Sequence, residues 1–393
     1  MPKSRKSIDP RSGILFFNWI IFSILISWYA AGRPLNPRDS VKNTPTNREY
    51  ELQFMNADLG GRIDHEALAQ IGIGKVIVRS FKNDVSQGGL YFQNSFFNVL
   101  QPYLDRLGSE FRSRDSGLHL WSWMIGRKFN WEEETKYFDY EYVEGADGYG
   151  GRRMVRKFDL FNPDAVDRIV GVYKELAAKN IQGILIQDDL FIRYNEGFSN
   201  WGKAKFTIIT HLPLSTRLAM RPNTAYSQNW NRIKINQVNH VLTRIVGACK
   251  AVYPKIRVGM NIYYETPLYV RRAEKWYAHN LREIVKTGID HIYLMTYHRQ
   301  MKEEMKFDEV RNRQVFQLVV NRAYKLCGDK LVVKLQIKDW DTGRRIPLTE
   351  LKEYLRLLPP GVKRVCFTPV TPVDLDYIKQ IVNSGRSHGS SVR

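Results

Sequence analysis

Residues 161–190 read FNPDAVDRIVGVYKELAAKNIQGILIQDDL, and this stretch decides the fold. Asn162 is a good helix cap, and Pro163 suits the first helical position. Asp164 and Asp167 complement the positive end of a helix dipole, while Lys174 and Lys179 complement the other end. Val166, Ile169, Val170, Tyr173, Leu176 and Ala177 recur at helical spacing and share one face. The spacing therefore predicts a helix over 163–178. Directly after it, GILI is a short unbroken apolar run ending in Gln187, Asp188 and Asp189. Such a run predicts a strand covered on both faces.

The same alternation extends in both directions. Strands are expected at LQFMNAD (52–58), KVIVRSF (75–81), LHLWSWMI (118–125) and GILIQDD (183–189). They continue at RVGMNIYYE (257–265), HIYLMTYH (291–298), KLVVKLQIKDW (330–340) and RVCFTPV (364–370). Weaker helical patterns cover 229–252, 274–287, 309–326 and 372–383. Eight strand–helix units in one run predict an α/β chain folded as a (β/α)8 TIM barrel. The stretch exceeds the roughly 250 residues typical of that fold. Long connections after the third strand (126–162) and the fourth (190–228) account for the excess. The competing architecture is an open doubly wound sheet, but no glycine-rich dinucleotide fingerprint follows the first strand.

In a barrel, polar residues at the C-terminal ends of strands are candidates for chemistry. The first strand ends in Asn56 and Asp58, and the third carries Trp121, Trp123 and then Arg127. The fourth ends in Gln187, Asp188 and Asp189, and the fifth supplies Asn261, Tyr263, Tyr264 and Glu265. Tyr297 and His298 close the sixth, and Gln336, Asp339, Trp340 and Asp341 close the seventh. Rings that stack on sugar C–H faces, beside amides and carboxylates that bind hydroxyls, suit a carbohydrate. Glycoside hydrolysis needs carboxyl groups flanking the scissile bond. Adjacent strand residues point to opposite faces, so one of Asp188 and Asp189 at most projects into the mouth. Trp121 and Trp123 read equally as core filling or as a sugar platform, and His298 reads as structural. The acidic run 132–134 with Asp139, Glu141 and Glu144 is either a solvated loop or a negative rim over the cleft.

Composition narrows the class. The chain has 393 residues, with 60 Lys+Arg against 40 Asp+Glu, a net charge of +20. Its 43% hydrophobic content is that of a globular protein. Three cysteines without metal-ligand spacing exclude a disulfide framework and a zinc ribbon. No metal or cofactor is called for. The single long apolar run, ILFFNWIIFSILISWYAA (14–31), is 18 residues and follows Lys3, Arg5, Lys6 and Arg11. It reads as a transmembrane anchor or a signal segment, with the basic tail 1–13 cytoplasmic. The polar segment 32–50 is then a linker, 51–384 the barrel and 385–393 a disordered tail. The barrel is expected outside the cytoplasm, held at the inner membrane, or secreted if the segment is cleaved. Export, and the lack of any recognisable nucleic-acid module, exclude nucleic acid as a partner. The basic body fits a surface near anionic headgroups.

Several ordered motifs carry a resemblance. They are GGLYFQNSFF (88–97), HLWSWM (119–124), the stretch 161–190, MNIYYETP (260–267) and LQIKDWDT (335–342). Over about residues 50–380 the chain resembles the C-terminal glycoside-hydrolase domain of the PgaB family, exported deacetylases of poly-β-1,6-N-acetylglucosamine (PNAG) in bacterial biofilm systems. The resemblance implies a barrel that cleaves partially de-N-acetylated PNAG internally. It implies a catalytic carboxyl at Asp189 first and Asp188 second. It also implies a cleft containing Asp58, Trp123, Asn261, Gln336, Asp339 and Asp341, beside Tyr263, Glu265 and Trp340 from the strand-end rule. Asp58, Glu265, Asp339 and Asp341 are the candidates for a second carboxylate.

Two departures stand out. The family's deacetylase domain has no counterpart in 33–50, so hydrolysis without deacetylation is expected of these residues. Gln187 stands where a His precedes the paired Asp, and Gln cannot titrate. The expected partners are a polysaccharide, the membrane through 14–31, and exopolysaccharide synthesis or export machinery. Two alternatives remain at this level: a weakly catalytic, membrane-tethered glycan-binding barrel, and a hydrolase of a different exported glycan.

Overall fold

The computed structural model describes residues 48–55, 65–113, 117–144 and 150–386. The expected membrane segment 14–31, most of the linker, Asn56 and Asp58 lie outside the described residues. Among those described, no helix is long and apolar enough to cross a membrane.

Eight parallel strands close on themselves: β1 (Glu49–Phe54), β2 (Ile73–Arg79), β3 (His119–Met124), β4 (Gly183–Ile186), β5 (Arg257–Tyr263), β6 (His291–Met295), β7 (Leu331–Gln336) and β8 (Arg364–Val370). Each pairs with its sequence neighbours, and β8 returns to β1 with Glu49 opposite Arg364. The open-sheet alternative is thereby excluded. The strands sit within four residues of their expected bounds, because unbroken burial marks them in sequence. Most expected C-terminal tails are not strand. Gln187–Asp189, Tyr297–His298 and Lys338–Trp340 have already left the sheet and form the rim.

Helix Pro163–Ala177 forms as read, with the Asn162 side chain accepting from the Asp164 N–H at 3.0 Å. The next long helix starts earlier than its apolar pattern, at Ala225, because Thr224 and Ser227 form a capping box. The helix expected over 274–287 is broken. Val270–Tyr277 ends where Ala278 turns left-handed at φ 53°, and a short Leu281–Ile284 turn follows. Neither long connection is structureless. The first carries an antiparallel hairpin, Phe138–Glu144 with Gly150–Phe158, and the second carries helices Asn200–Thr210 and Thr216–Met220.

Alternate strand residues face the barrel axis, and here they are large and polar. Lys75 on β2 pairs with Glu51 on β1 at 2.5 Å, and the Tyr293 hydroxyl donates to the same carboxylate at 2.7 Å. The Lys75 ammonium lies 4.1 Å from the centre of a Trp121 ring. Trp121 and Tyr293 are buried and fill the lower barrel. Their bulk leaves no room on the neighbouring strands. A Cβ at Gly183 would come within 2.2 Å of the Trp121 ring, and one at Gly259 within 2.6 Å of the Tyr293 ring. Gly183→Ala should therefore cost about 1–3 kcal/mol of overpacking in urea unfolding. An unchanged midpoint would show that the Trp121 packing is loose.

Candidate active site

Above the Trp121–Tyr293 layer, the inward row continues toward the strand C-termini. Asn261 on β5 is buried and accepts from the Lys334 ammonium on β7 at 2.8 Å. Lys334 is itself buried and forms no ion pair among the described residues. Burial lowers its pKa, partly offset by Cys366, Asp188 and Glu51. Its ammonium lies 6.0 Å from the centre of the Tyr297 ring, and Tyr297 packs edge-on against Trp340 at 5.4 Å. Burial, and then the charge of Asp188, push the Tyr297 hydroxyl pKa up. The floor of the mouth is thus a continuous layer from Asn261 to Trp340, with Asp188 beside it.

The two adjacent aspartates at the end of β4 diverge. The Asp188 carboxylate accepts from the Tyr263 hydroxyl at 3.0 Å. Asp189 turns the other way and accepts three consecutive backbone N–H groups: Gly126 at 2.6 Å, Arg127 at 3.0 Å and Lys128 at 2.7 Å. Successive N–H groups aimed at one carboxylate make an anion nest. Gly126 has no spare room, since a Cβ there would meet Leu190 at 2.7 Å and Asp189 Oδ1 at 2.9 Å. Burial pushes the Asp189 pKa up against the pull of the three N–H groups. The residue ranked first from sequence is therefore occupied by the loop after β3, because all three N–H groups need an acceptor. Asp188 is the one that meets the aromatic side of the mouth.

A buried ionic network fastens the two long connections together. The Arg127 guanidinium reaches Asp139 at 3.2 Å and also bonds Glu196, which Lys157 bonds in turn. Lys234 is buried beneath, donating to the carbonyls of Arg193 at 3.0 Å and Tyr194 at 3.3 Å. Burial and then Asp159 push the Asp139 pKa up, opposed by Arg127. Most of the acidic loop is consequently paired and forms no free negative rim, with Glu133 and Glu144 left exposed. Asp139 is consumed by Arg127, Glu132 by Arg168 at 3.0 Å, and Glu141 by Arg153.

The negative wall lies instead between the connections after β6 and β7. A cleft of about 340 Å³ is lined by Arg299, Gln300, Glu303, Glu304, Gln336, Asp339, Trp340 and Asp341. Four carboxylates face one guanidinium, and Glu350 already holds Arg299 at 2.7 Å. The Thr342 N–H at 2.9 Å and then Arg299 hold Asp339 down at about 2. Asp341 raises Glu303 by like charge and by a shared hydrogen bond. Glu304 is oriented by the Tyr264 hydroxyl and by the Gln300 amide, each at 2.7 Å. Trp340 is 42% exposed over this cleft.

Gln336, Asp339, Trp340 and Asp341 are thus gathered in one place. Asn261, Tyr263 and Asp188 lie along the adjoining floor. Trp123 is 4% exposed, with its indole N–H on the Phe54 carbonyl at 3.0 Å and its ring against Phe81 and Arg79. It is packed into the mouth's wall and offers little face to a sugar. Glu265 is buried and turned away, accepting from the Tyr277 hydroxyl at 2.5 Å and from Arg272 at 3.3 Å. His298 is structural, bonded to Glu350 at 2.8 Å and stacked on Tyr354. The side-chain oxygen of Gln187 is buried without a hydrogen-bond partner among the described residues. Glu303 and Glu304 escaped the strand-end rule because they sit in the second turn of helix His298–Met305, which follows β6. Extending the rule through that helix finds both. Among the described residues, no group of three His, Cys, Asp or Glu is arranged to hold a metal ion.

The solved glycoside-hydrolase domain of PgaB (BpsB) from Bordetella bronchiseptica shares this fold. It superposes with a TM-score of 0.69 at 18% identity, over 86% of this chain and 99% of that domain. Two β-galactosidases, from the psychrophilic Marinomonas ef1 and the Antarctic haloarchaeon Halorubrum lacusprofundi, match at TM-scores of 0.57 and 0.59 with 10% and 11% identity. Each covers 82% of this chain, which spans only 54% and 52% of their lengths. No curated protein sequence matches. The model of hypothetical glycosyl hydrolase family 13 matches residues 51–367, from β1 into β8, and the chain belongs to this glycoside-hydrolase family.

Proposed function

We propose that this barrel hydrolyses an amino-sugar polymer internally, with partially de-N-acetylated poly-β-1,6-N-acetylglucosamine as substrate and Asp188 as the catalytic carboxyl group. The observation that carries this reading is the acidic cleft that Trp340 and Tyr297 connect to the Asp188 side of the mouth. A free 2-amino group is an ammonium at neutral pH, and carboxylates bind it where a neutral sugar would leave their charge uncompensated. The protein's net charge of +20 repels such a polymer at long range. Inside a cleft the local field governs, and here it is negative. Trp340 offers a ring face to the sugar's C–H surface, and Gln300 and Gln336 offer amides to its hydroxyls.

Asp188 suits the chemistry better than Asp189. Its carboxyl group accepts from the Tyr263 hydroxyl at the mouth and is not taken up by a backbone nest, as Asp189 is. An ionised carboxylate at the anomeric carbon stabilises the oxocarbenium-like transition state or activates the nucleophile. The wall carboxyls supply the second acidic group that glycoside hydrolysis requires. Gln187 favours a second reading, a barrel that binds glycan and turns over weakly, since no titratable group stands before the paired Asp. The apolar run 14–31 after its basic tail supports a setting outside the cytoplasm.

Reducing-end release from a de-N-acetylated β-1,6-glucosamine polymer tests the reading. Wild type should release ends, and Asp188→Asn should lower kcat by about 10²–10⁴-fold with its unfolding midpoint unchanged. Asp189→Asn should instead lose about 1–3 kcal/mol of stability, because one N–H of the nest loses its acceptor. A fully active Asp188→Asn protein would refute the assignment, and release of no ends by wild type would favour the binding barrel. Glu304→Gln should raise KM on the de-N-acetylated polymer about two- to fivefold, with kcat nearly constant, and added salt should erase the difference. Protease digestion of spheroplasts should cleave the barrel from outside, whereas protection until lysis would place it in the cytoplasm.

A further inference from the structure

The connection after β4 carries a surface that the chemistry leaves unexplained. On helix Asn200–Thr210 and the turn beyond it, Trp201, Ile208, Ile209 and Leu212 are exposed at 47%, 71%, 50% and 51%. Within the helix, Trp201, Lys205 and Ile208 are spaced by four and three residues, which places them along one side. The opposite side holds the segment to the body, with Phe206 buried against Tyr226 and Trp230. The helix itself is capped and ordered, its Ser199 hydroxyl accepting from the Gly202 N–H at 3.0 Å. The exposed stripe is therefore presented by a fixed helix.

Charge around the stripe is one-signed. No Asp or Glu occurs between Glu196 and Glu265, while that interval holds ten Lys and Arg. Arg232, Arg244, Lys250 and Arg257 are paired with Glu283, Asp167 and Asp290 on neighbouring elements. Lys234 is buried under backbone carbonyls. Lys203, Lys205, Arg217 and Arg221, all on the excursion, have no carboxylate partner among the described residues. Arg152 from the neighbouring hairpin adds a further cation, within 3.4 Å of Asn200.

We propose that the excursion 200–221 is a membrane-contact face that lies on an anionic lipid bilayer. A fixed helix with Trp and Ile on one stripe and unpaired cations at its edges matches an interfacial helix. Its apolar side chains enter the headgroup–acyl boundary, and each cation near the surface gains from anionic lipid. An acidic protein partner would satisfy the cations equally, but it would have to match the shape of the exposed stripe. A bilayer covers it without complementary shape. The excursion follows β4, so it rises from the rim that bears the strand C-termini, and contact there sets the mouth of the barrel beside the lipid surface. The inference does not depend on the identity of the glycan.

The test uses the full chain with a single environment-sensitive NBD label. Its three natural cysteines are all buried, so an added thiol is selectively labelled. Ile208→Cys carries the probe, and Val310→Cys, exposed at 59% on another element, is the control. Vesicles are pure phosphatidylcholine, or a two-to-one mixture of phosphatidylcholine and phosphatidylglycerol. The proposal expects a blue-shifted emission at position 208 that acyl-chain nitroxides quench, on the mixed vesicles only, with no change at 310. Adding Lys205→Glu and Arg217→Glu should weaken the shift's dependence on anionic lipid about tenfold or more. A label at 208 that stays water-exposed on mixed vesicles would overturn the proposal. So would a blue shift that grows with protein concentration without lipid, which would assign the face to a second copy.

Discussion

The arrangement depends on one ionic contact, the carboxylate of Asp189 in the nest of N–H groups from Gly126 to Lys128. Three donors on consecutive residues cannot be left unmet in a desolvated loop without a large loss of stability. The contact fixes where the chain goes after β4. Because Asp189 turns into the loop, its neighbour Asp188 turns into the mouth, against Tyr263. Identical adjacent residues thus take two different places, one in a backbone nest and one at the mouth. Only their partners differ, and the partners come from two different strands.

The same corner carries the buried network around Arg127. Buried ion pairs are poor sources of net stability, since desolvation consumes most of the Coulomb gain. Their value here is geometric. Arg127, Asp139 and Glu196 tie the hairpin after β3 to the turn after β4, so both long connections hold one shape over the barrel. Across the mouth the logic reverses. Glu303, Glu304 and Asp341 have no ion pair among the described residues, because Arg299 is already committed to Glu350 and Asp339. Unspent negative charge faces the cleft, and unspent positive charge lies on the excursion after β4. The chain segregates its charge by face, a property that a net value of +20 conceals.

Much of the fold was legible because it rests on local patterns. Runs such as GILI and LVVKL announce strands buried on both faces, and Asn162–Pro163 announces a helix start. Gln336, Asp339, Trp340 and Asp341 were found together because strand ends converge in a barrel. What the sequence left open has a different cause. Which of two adjacent aspartates enters the mouth depends on a loop 60 residues earlier, and no periodicity encodes that. Trp123 looked equally like platform and filler, since its neighbours Phe81 and Arg79 come from another strand. The acidic stretch 132–144 read as a solvated loop or a negative rim, since the arginines that pair Asp139, Glu141 and Glu132 lie at 127, 153 and 168. Sequence shows the charges, and only the fold shows which are already paired.

The most direct test is a crystal structure of the Asp188→Asn protein with a bound β-1,6-glucosamine oligosaccharide. The account predicts a saccharide strand across the mouth, with a glycosidic bond beside residue 188 and at least one ammonium within hydrogen-bonding reach of the Glu303–Asp341 wall. An oligosaccharide bound elsewhere, or one lying across the mouth with residue 188 out of reach of every glycosidic bond, would contradict it.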